Sequence, residues 1–110
     1  MGFLEKIGKE FVVTGEVEPA AAVSDSFLRK AKAYKPYVDA INVIDSPLGE
    51  PQVSSLAASL LLKQKGFEPI LQMCARDRNR TAITNDLLGA KLLGLDNVLA
   101  ITGDYPNKSK

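Results

Sequence analysis

Glu16, Asp45, Cys74 and Asp104 each close an apolar run, and each is separated from the next by a stretch long enough for a helix. In α/β proteins the carboxyl ends of parallel strands are where side chains meet a ligand. The spacing therefore predicts that three carboxylates and a thiol gather at one rim. Glu16, with Glu18 two residues on, suits acid–base chemistry, because a carboxyl at a strand end inside a barrel can be desolvated enough to hold a proton and then donate it. The competing reading makes both glutamates partners of Arg76, Arg78 or Arg80 in structural ion pairs. Asp104 follows Gly103, where a bare backbone admits a ligand closely. Asp45 either bonds a ligand or caps the turn before Pro47.

The run Arg76-Asp77-Arg78-Asn79-Arg80 sits where a strand gives way to a helix. Guanidinium forks and helix N-terminal amides there could grip a phosphate, or the run is a loop of internal ion pairs. Cys74 reads as a small packed residue more readily than as a nucleophile. With no histidine and one cysteine, a Ser-His triad, a histidine metal site and a thiolate cluster are excluded. Neither a GxGxxG turn nor a P-loop is present. The available chemistry is that of carboxylates, Lys, Arg, Tyr, Cys or a bound cofactor.

The elements that must position these groups follow from periodicity. Residues 11–17 are β-branched and aromatic and stop at Glu18-Pro19; as a first strand they place Thr14, Glu16 and Glu18 on one face and Phe11, Val13, Gly15 and Val17 on the other. Ser24 is the expected cap of a helix whose Phe27, Ala31 and Tyr34 share a side, ending at Lys35-Pro36. Residues 40–45 form a second strand, closed by the turn Ser46-Pro47-Leu48-Gly49. Pro51 then opens a helix with a stripe of Val53, Leu56, Leu60 and Leu61, stopped at Gly66. Residues 69–74 are a third strand. The third helix is capped by Asn79 or Thr81, carries Ile83, Leu87 and Ala90, and closes at Gly94. Residues 98–102 are the fourth strand. The order βαβαβαβ, with near-continuous apolar strands and short connections, predicts a parallel sheet with helices outside.

A chain of 110 residues can bury a real core but is far short of the roughly 250 residues of a closed eight-stranded barrel. The expectation is a single segment, residues 1–110, that forms the N-terminal half of a (β/α)8 TIM barrel with strands 1–4 and helices 1–3. The polar tail from Tyr105 to Lys110 caps nothing and favours truncation. A net charge of +1 offers no field to attract nucleic acid or an anionic membrane. The start lacks the pattern of a signal peptide and no apolar run approaches a membrane span. The expected setting is cytoplasmic. Open sheet edges predict a homo-oligomer.

Four ordered blocks, which together cover most of the chain from Phe11 to Pro106, carry a resemblance. They are Gly15-Glu16-Val17-Glu18-Pro19, the stretch 42–47, Glu68-Pro69-Ile70-Leu71 through Arg76-Asp77-Arg78-Asn79, and Asp86-Leu87-Leu88-Gly89-Ala90 through Leu99-Ala100-Ile101-Thr102-Gly103-Asp104. In these the chain resembles the methylenetetrahydrofolate reductases, FAD-dependent (β/α)8 barrels, and within them the branch also found fused to homocysteine methyltransferase domains. The resemblance implies reduction of 5,10-methylenetetrahydrofolate by hydride from reduced FAD, with NADH or NADPH as the source of electrons. It implies that Glu16 is the general acid for folate N10 and that Asp104 lies beside flavin and pterin. It also implies flavin contacts from Ile44 and Asp45, from Gln72, Met73 and Cys74, and from Ile101, Thr102, Gly103 and Asp104. Gln72 stands where many members have histidine, and Cys74 where they have threonine. Val17 and Glu18 replace bulkier apolar residues.

Two other functions fit the residues alone. One is a non-catalytic half-barrel that binds a flavin or pterin or serves assembly; the other is a different barrel enzyme with the same βα rhythm. The resemblance favours the reductase, with folate and NAD(P)H as partners of the complete enzyme; the 110-residue segment by itself is expected to be inactive and to hold FAD weakly or not at all.

Overall fold

Every strand among the described residues is short and apolar on at least one side, and each of the first three is followed by a helix able to lay a packed face against the sheet. In the computed structural model, which describes residues 2–105, these segments form α1 (Phe3–Lys6), β1 (Thr14–Val17), α2 (Phe27–Tyr34), β2 (Ala40–Val43), α3 (Ser55–Gln64), β3 (Pro69–Cys74), α4 (Arg80–Leu92) and β4 (Val98–Ile101). Single 3-10 turns at Lys35–Tyr37 and Pro47–Gly49 lead into and out of the β2 region. The sheet has the order β1-β2-β3-β4 and every pairing is parallel. The architecture is that of a half TIM barrel. The tail from Pro106 to Lys110 lies outside the described residues. Among the described residues no helix is long and apolar enough to cross a membrane.

Register fixes which side chains share a face. Thr14 pairs with Ala40, Glu16 with Asn42, Asn42 with Ile70, and Gln72 with Leu99. Alternation then puts Val17, Ile41, Val43, Leu71 and Met73 toward the helices. There Val17, Ile41 and Val43 pack with Phe27 and Ala31 of α2 and with Ala58 and Leu62 of α3, while Leu71 and Met73 pack with Ala90 and Leu95. The opposite face is closed at its lower end by Phe3, which packs on Ala40, Ile70 and Val12. Farther up, this face turns polar, with Glu16, Asn42 and Gln72 on neighbouring strands.

Several expectations are corrected. The first strand begins at Thr14 rather than Phe11, because the Val13 N–H is taken by the Asp39 carboxylate at 2.8 Å and its carbonyl accepts the Asp39 N–H at 2.7 Å. Phe11 is 90% exposed and Val13 is also exposed, so neither joins the helix-facing core. Glu18 falls beyond the end of β1. Ser24 caps no helix; its Oγ accepts the Ser26 N–H at 3.2 Å in the approach to α2. Pro51 and Val53 precede α3, whose cap is Ser54, with Oγ accepting the Ala57 N–H at 3.1 Å. The buried side of α3 is Ser55, Ala58, Ser59 and Leu62, not the leucine stripe. Small residues let this helix come close to the sheet, and the Ser55 hydroxyl donates to the Gln72 carbonyl at 2.9 Å. In α4, Asn79 is the cap, accepting from the Ala82 N–H at 2.8 Å, while Leu87 is exposed.

Two glycines are set by packing. A Cβ on Gly15 would sit 2.6 Å from the Tyr34 ring, so glycine lets α2 lie on β1. Gly103 has φ of +90° and its Cβ would run into Cys74 Sγ, with the Arg76 side chain next nearest.

Candidate active site

The carboxyl ends of all four strands border one cleft of about 180 Å³. From β1 comes Glu16. The end of β2 and the turn after it supply Ile44, Asp45, Ser46 and Pro47. Gln72 and, just past β3, Arg76 form the next side, and Ile101, Gly103 and Asp104 complete it. Parallel register is the reason: each strand ends at a similar height, so residues remote in sequence become neighbours at the rim.

The two candidate acids stand apart from the rest. Glu16 and Asp104 are exposed, and among the described residues neither carboxylate is in an ion pair. The suggested pairing of Glu16 or Glu18 with an arginine is therefore not formed. Asp45 is the opposite case. Its buried carboxylate accepts the Cys74 N–H at 2.7 Å and Arg78 Nη1 at 2.5 Å. Arg78 also donates to the Cys74 carbonyl at 2.7 Å and pairs with Asp86 at 3.2 Å. This network ties the end of β2 to the end of β3 and to α4, and the adjacent Asp45 carboxylate raises the pKa of the Arg78 guanidinium.

Arg76 is equally occupied. Its guanidinium holds Asp77 at 2.6 Å, donates to the Ser46 carbonyl at 2.7 Å and donates to the Asp104 carbonyl at 2.8 Å. The hydrogen bond between the two side chains raises the Arg76 pKa and lowers that of Asp77. Of the two readings of the arginine run, internal pairing describes Arg76 and Arg78.

Gln72 points its amide along the open face, where Nε2 donates to Asn42 Oδ1 at 3.1 Å. That bond fixes the amide and leaves Oε1 for an occupant of the cleft. Ile44 and Ile101 add apolar surface. Three expected contact residues lie elsewhere. Met73 faces α4 in the core; Cys74 is buried, with Sγ 3.8 Å from the Thr102 carbonyl; the Thr102 side chain does not line the cleft. Ser46, Pro47 and Arg76 border the cleft without having been singled out as contacts. Only the turn-forming Ser46-Pro47 pair directly after Asp45 signalled the first two, and Arg76 was visible as a charge but not as a bridge.

Among the described residues no group of His, Cys, Asp and Glu is placed to hold a metal ion. A cleft with two unpaired carboxylates, an oriented amide and two isoleucines can bind a flat polar heterocycle and move a proton to it. A family model described as methylenetetrahydrofolate reductase matches residues 6–110. No curated protein matches the chain. With that match spanning nearly its whole length, the chain belongs to the methylenetetrahydrofolate reductase family.

Proposed function

We propose that the cleft is where 5,10-methylenetetrahydrofolate is reduced to 5-methyltetrahydrofolate, with NAD(P)H as electron source and FAD as carrier. The observation that carries this reading is that Glu16 and Asp104, from opposite edges of the sheet, bring to one cleft beside the Gln72 amide carboxylates that form no ion pair among the described residues. The donor set fits a flavin ring: Ile44 and Ile101 for its apolar faces, and Gln72 Oε1 for a ring N–H. At about 180 Å³ the cleft takes a ring rather than a dinucleotide, since sites for drug-sized ligands run from roughly 300 Å³ upward. When bound, FAD supplies the hydride that reduces the folate methylene carbon.

This chain's residues then have distinct tasks. Glu16 gives a proton to folate N10, which breaks the bond from N10 to the methylene carbon, opens the five-membered ring and leaves an iminium at N5. Asp104 sets a negative charge near that cation and so favours its formation. Gln72, held by Asn42, orients the ring. Arg76 and the Asp45–Arg78 network hold the rim on which these groups stand. The exposed Leu88 and Leu92 of α4 and Leu99 of β4 support a homo-oligomer, and the proposed setting is the cytoplasm.

The test separates the half-reactions by stopped flow in the FAD-loaded protein. Glu16→Gln is expected to leave flavin reduction by NAD(P)H within about twofold and to slow the folate half by about 10²-fold, the usual worth of a general acid. Equal losses in both halves would refute the assignment.

A further inference from the structure

The backbone at the turn after β2 is left-handed at two residues that carry side chains, Ser46 at φ 45° and Leu48 at φ 58°. Such conformations persist only where surrounding contacts impose them, and they concentrate at functional sites. The turn's own hydrogen bonds are few: the Gly49 N–H donates to the Ser46 carbonyl at 3.1 Å and the Glu50 N–H to the Pro47 carbonyl at 3.2 Å. One contact that reaches it from outside is Arg76 Nη2, from the loop after β3, on the Ser46 carbonyl, while Nη1 of the same guanidinium holds the Asp104 carbonyl. Asp77 grips the far edge through Nε and Nη2. One planar fork thus spans the cleft between the turn after β2 and the loop after β4.

We infer that Arg76 is a positioning residue, which sets the backbone of Asp104 and of the strained Ser46–Leu48 turn so that the Asp104 carboxylate is presented to the ligand. The inference rests on the flavin and folate reading of the cleft for its second half only. The side chain must be arginine, because two carbonyls on opposite sides and a carboxylate behind call for separate donors in one rigid plane. A lysine ammonium reaches one carbonyl or the other. Gly103 contributes by leaving room, since its Cβ would come within 3.2 Å of Arg76 Cβ and 3.1 Å of Nη1.

Two measurements on the protein test this. Amide hydrogen exchange should speed up about tenfold or more at Gly49 and Glu50 in Arg76→Lys and in Arg76→Ala, while Leu71, whose N–H donates to the Asn97 carbonyl at 2.8 Å, keeps its protection. Millimolar methylguanidinium should restore protection in Arg76→Ala. Unchanged exchange at Gly49 and Glu50 in both variants would overturn the inference for the turn; if Leu71 also loses protection in Arg76→Ala, the milder Arg76→Lys decides. The second measurement is a double-mutant cycle on the FAD dissociation constant. Asp104→Asn should change it by a factor that shrinks about fivefold in the Arg76→Lys background, the scale of coupling between neighbours. The same factor in both backgrounds would overturn the positioning of Asp104. Should the unmodified protein take no FAD, the flavin reading fails, and the exchange experiment still decides whether Arg76 holds the turn.

Discussion

Replacing Asp45 by Asn removes one charge from a pair that is almost wholly enclosed: the Asp45 side chain is 5% exposed and that of Arg78 is 16% exposed. The asparagine oxygen can still accept the Cys74 N–H, so the cost falls on Arg78. Its Nη1 loses an anionic acceptor at 2.5 Å and keeps the Cys74 carbonyl. Breaking a buried ion pair from one side costs about 3–5 kcal/mol, because the remaining charge stays buried without its partner. Arg78 retains Asp86, which places the expected loss near the lower end, about 3 kcal/mol. The internal control is Asp86→Asn. That carboxylate is 35% exposed and sits at 3.2 Å, where water screens the interaction, so the expected loss is under about 1 kcal/mol. Urea unfolding monitored by circular dichroism gives both values from midpoints at constant slope. Equal losses for the two variants, or a loss below about 1 kcal/mol for Asp45→Asn, would refute the view that enclosure makes this pair a main tie between β2, β3 and α4.

Gly103→Ala should destabilise by about 2–4 kcal/mol, from the left-handed φ and the overlap with Cys74 Sγ together, and Cys74→Ala in the same chain should recover part of that; urea midpoints of the two variants read it. Leu62→Ala, at a fully buried position, is expected to cost about 2–5 kcal/mol, whereas Val23→Ala, at a position fully open to solvent, stays within about 0.5 kcal/mol; thermal melts distinguish them. The pKa values of Asp39 and Asp77 lie below their ordinary 3.8, Asp39 chiefly through the Val13 N–H and then Lys6, Asp77 through Arg76. Lowered folded values mean that this stability is fully present above about pH 4–5 and is lost as pH falls through the folded values. Urea midpoints between pH 6 and pH 2 should therefore fall on the acid side, and Asp39→Asn should flatten part of that fall; an unchanged slope would remove Asp39 from the account.

The strands, their order and the meeting of their ends were legible because each rests on local pattern: apolar runs, turn residues after them, and helix-length spacers. The face of α2 was legible for the same reason, since Phe27, Ala31 and Tyr34 recur at helical spacing, with Leu28 at the margin of the same face. In α3 the rule failed. Leucines are its bulkiest residues, yet only Leu62 joins Ser55, Ala58 and Ser59 on the sheet, because close approach and a serine bond to the Gln72 carbonyl outweigh leucine bulk there. Phe3 was invisible as a core residue, being the sole buried side chain of a four-residue helix with no periodicity to display. At the rim, Glu16 and Asp104 could be placed from strand ends alone. The partnership of Asp45 with Arg78, and of Arg76 with the Ser46 and Asp104 carbonyls, joins residues about thirty apart in sequence, and composition says nothing of which charge will meet which backbone.

The alternation along β3 has a bearing on how such a protein changes over time. Leu71 and Met73 answer to α4, and their tolerance is that of any packed interior, where a methylene more or less is felt throughout the neighbourhood. Gln72 and Cys74, their immediate neighbours in the chain, look the other way. A mutation at Gln72 alters the lining of the cleft while the helices go on packing as before, and one at Met73 alters the scaffold while that lining is untouched. The cleft lining can therefore drift by single steps on one side of the strand without a toll on folding from the other.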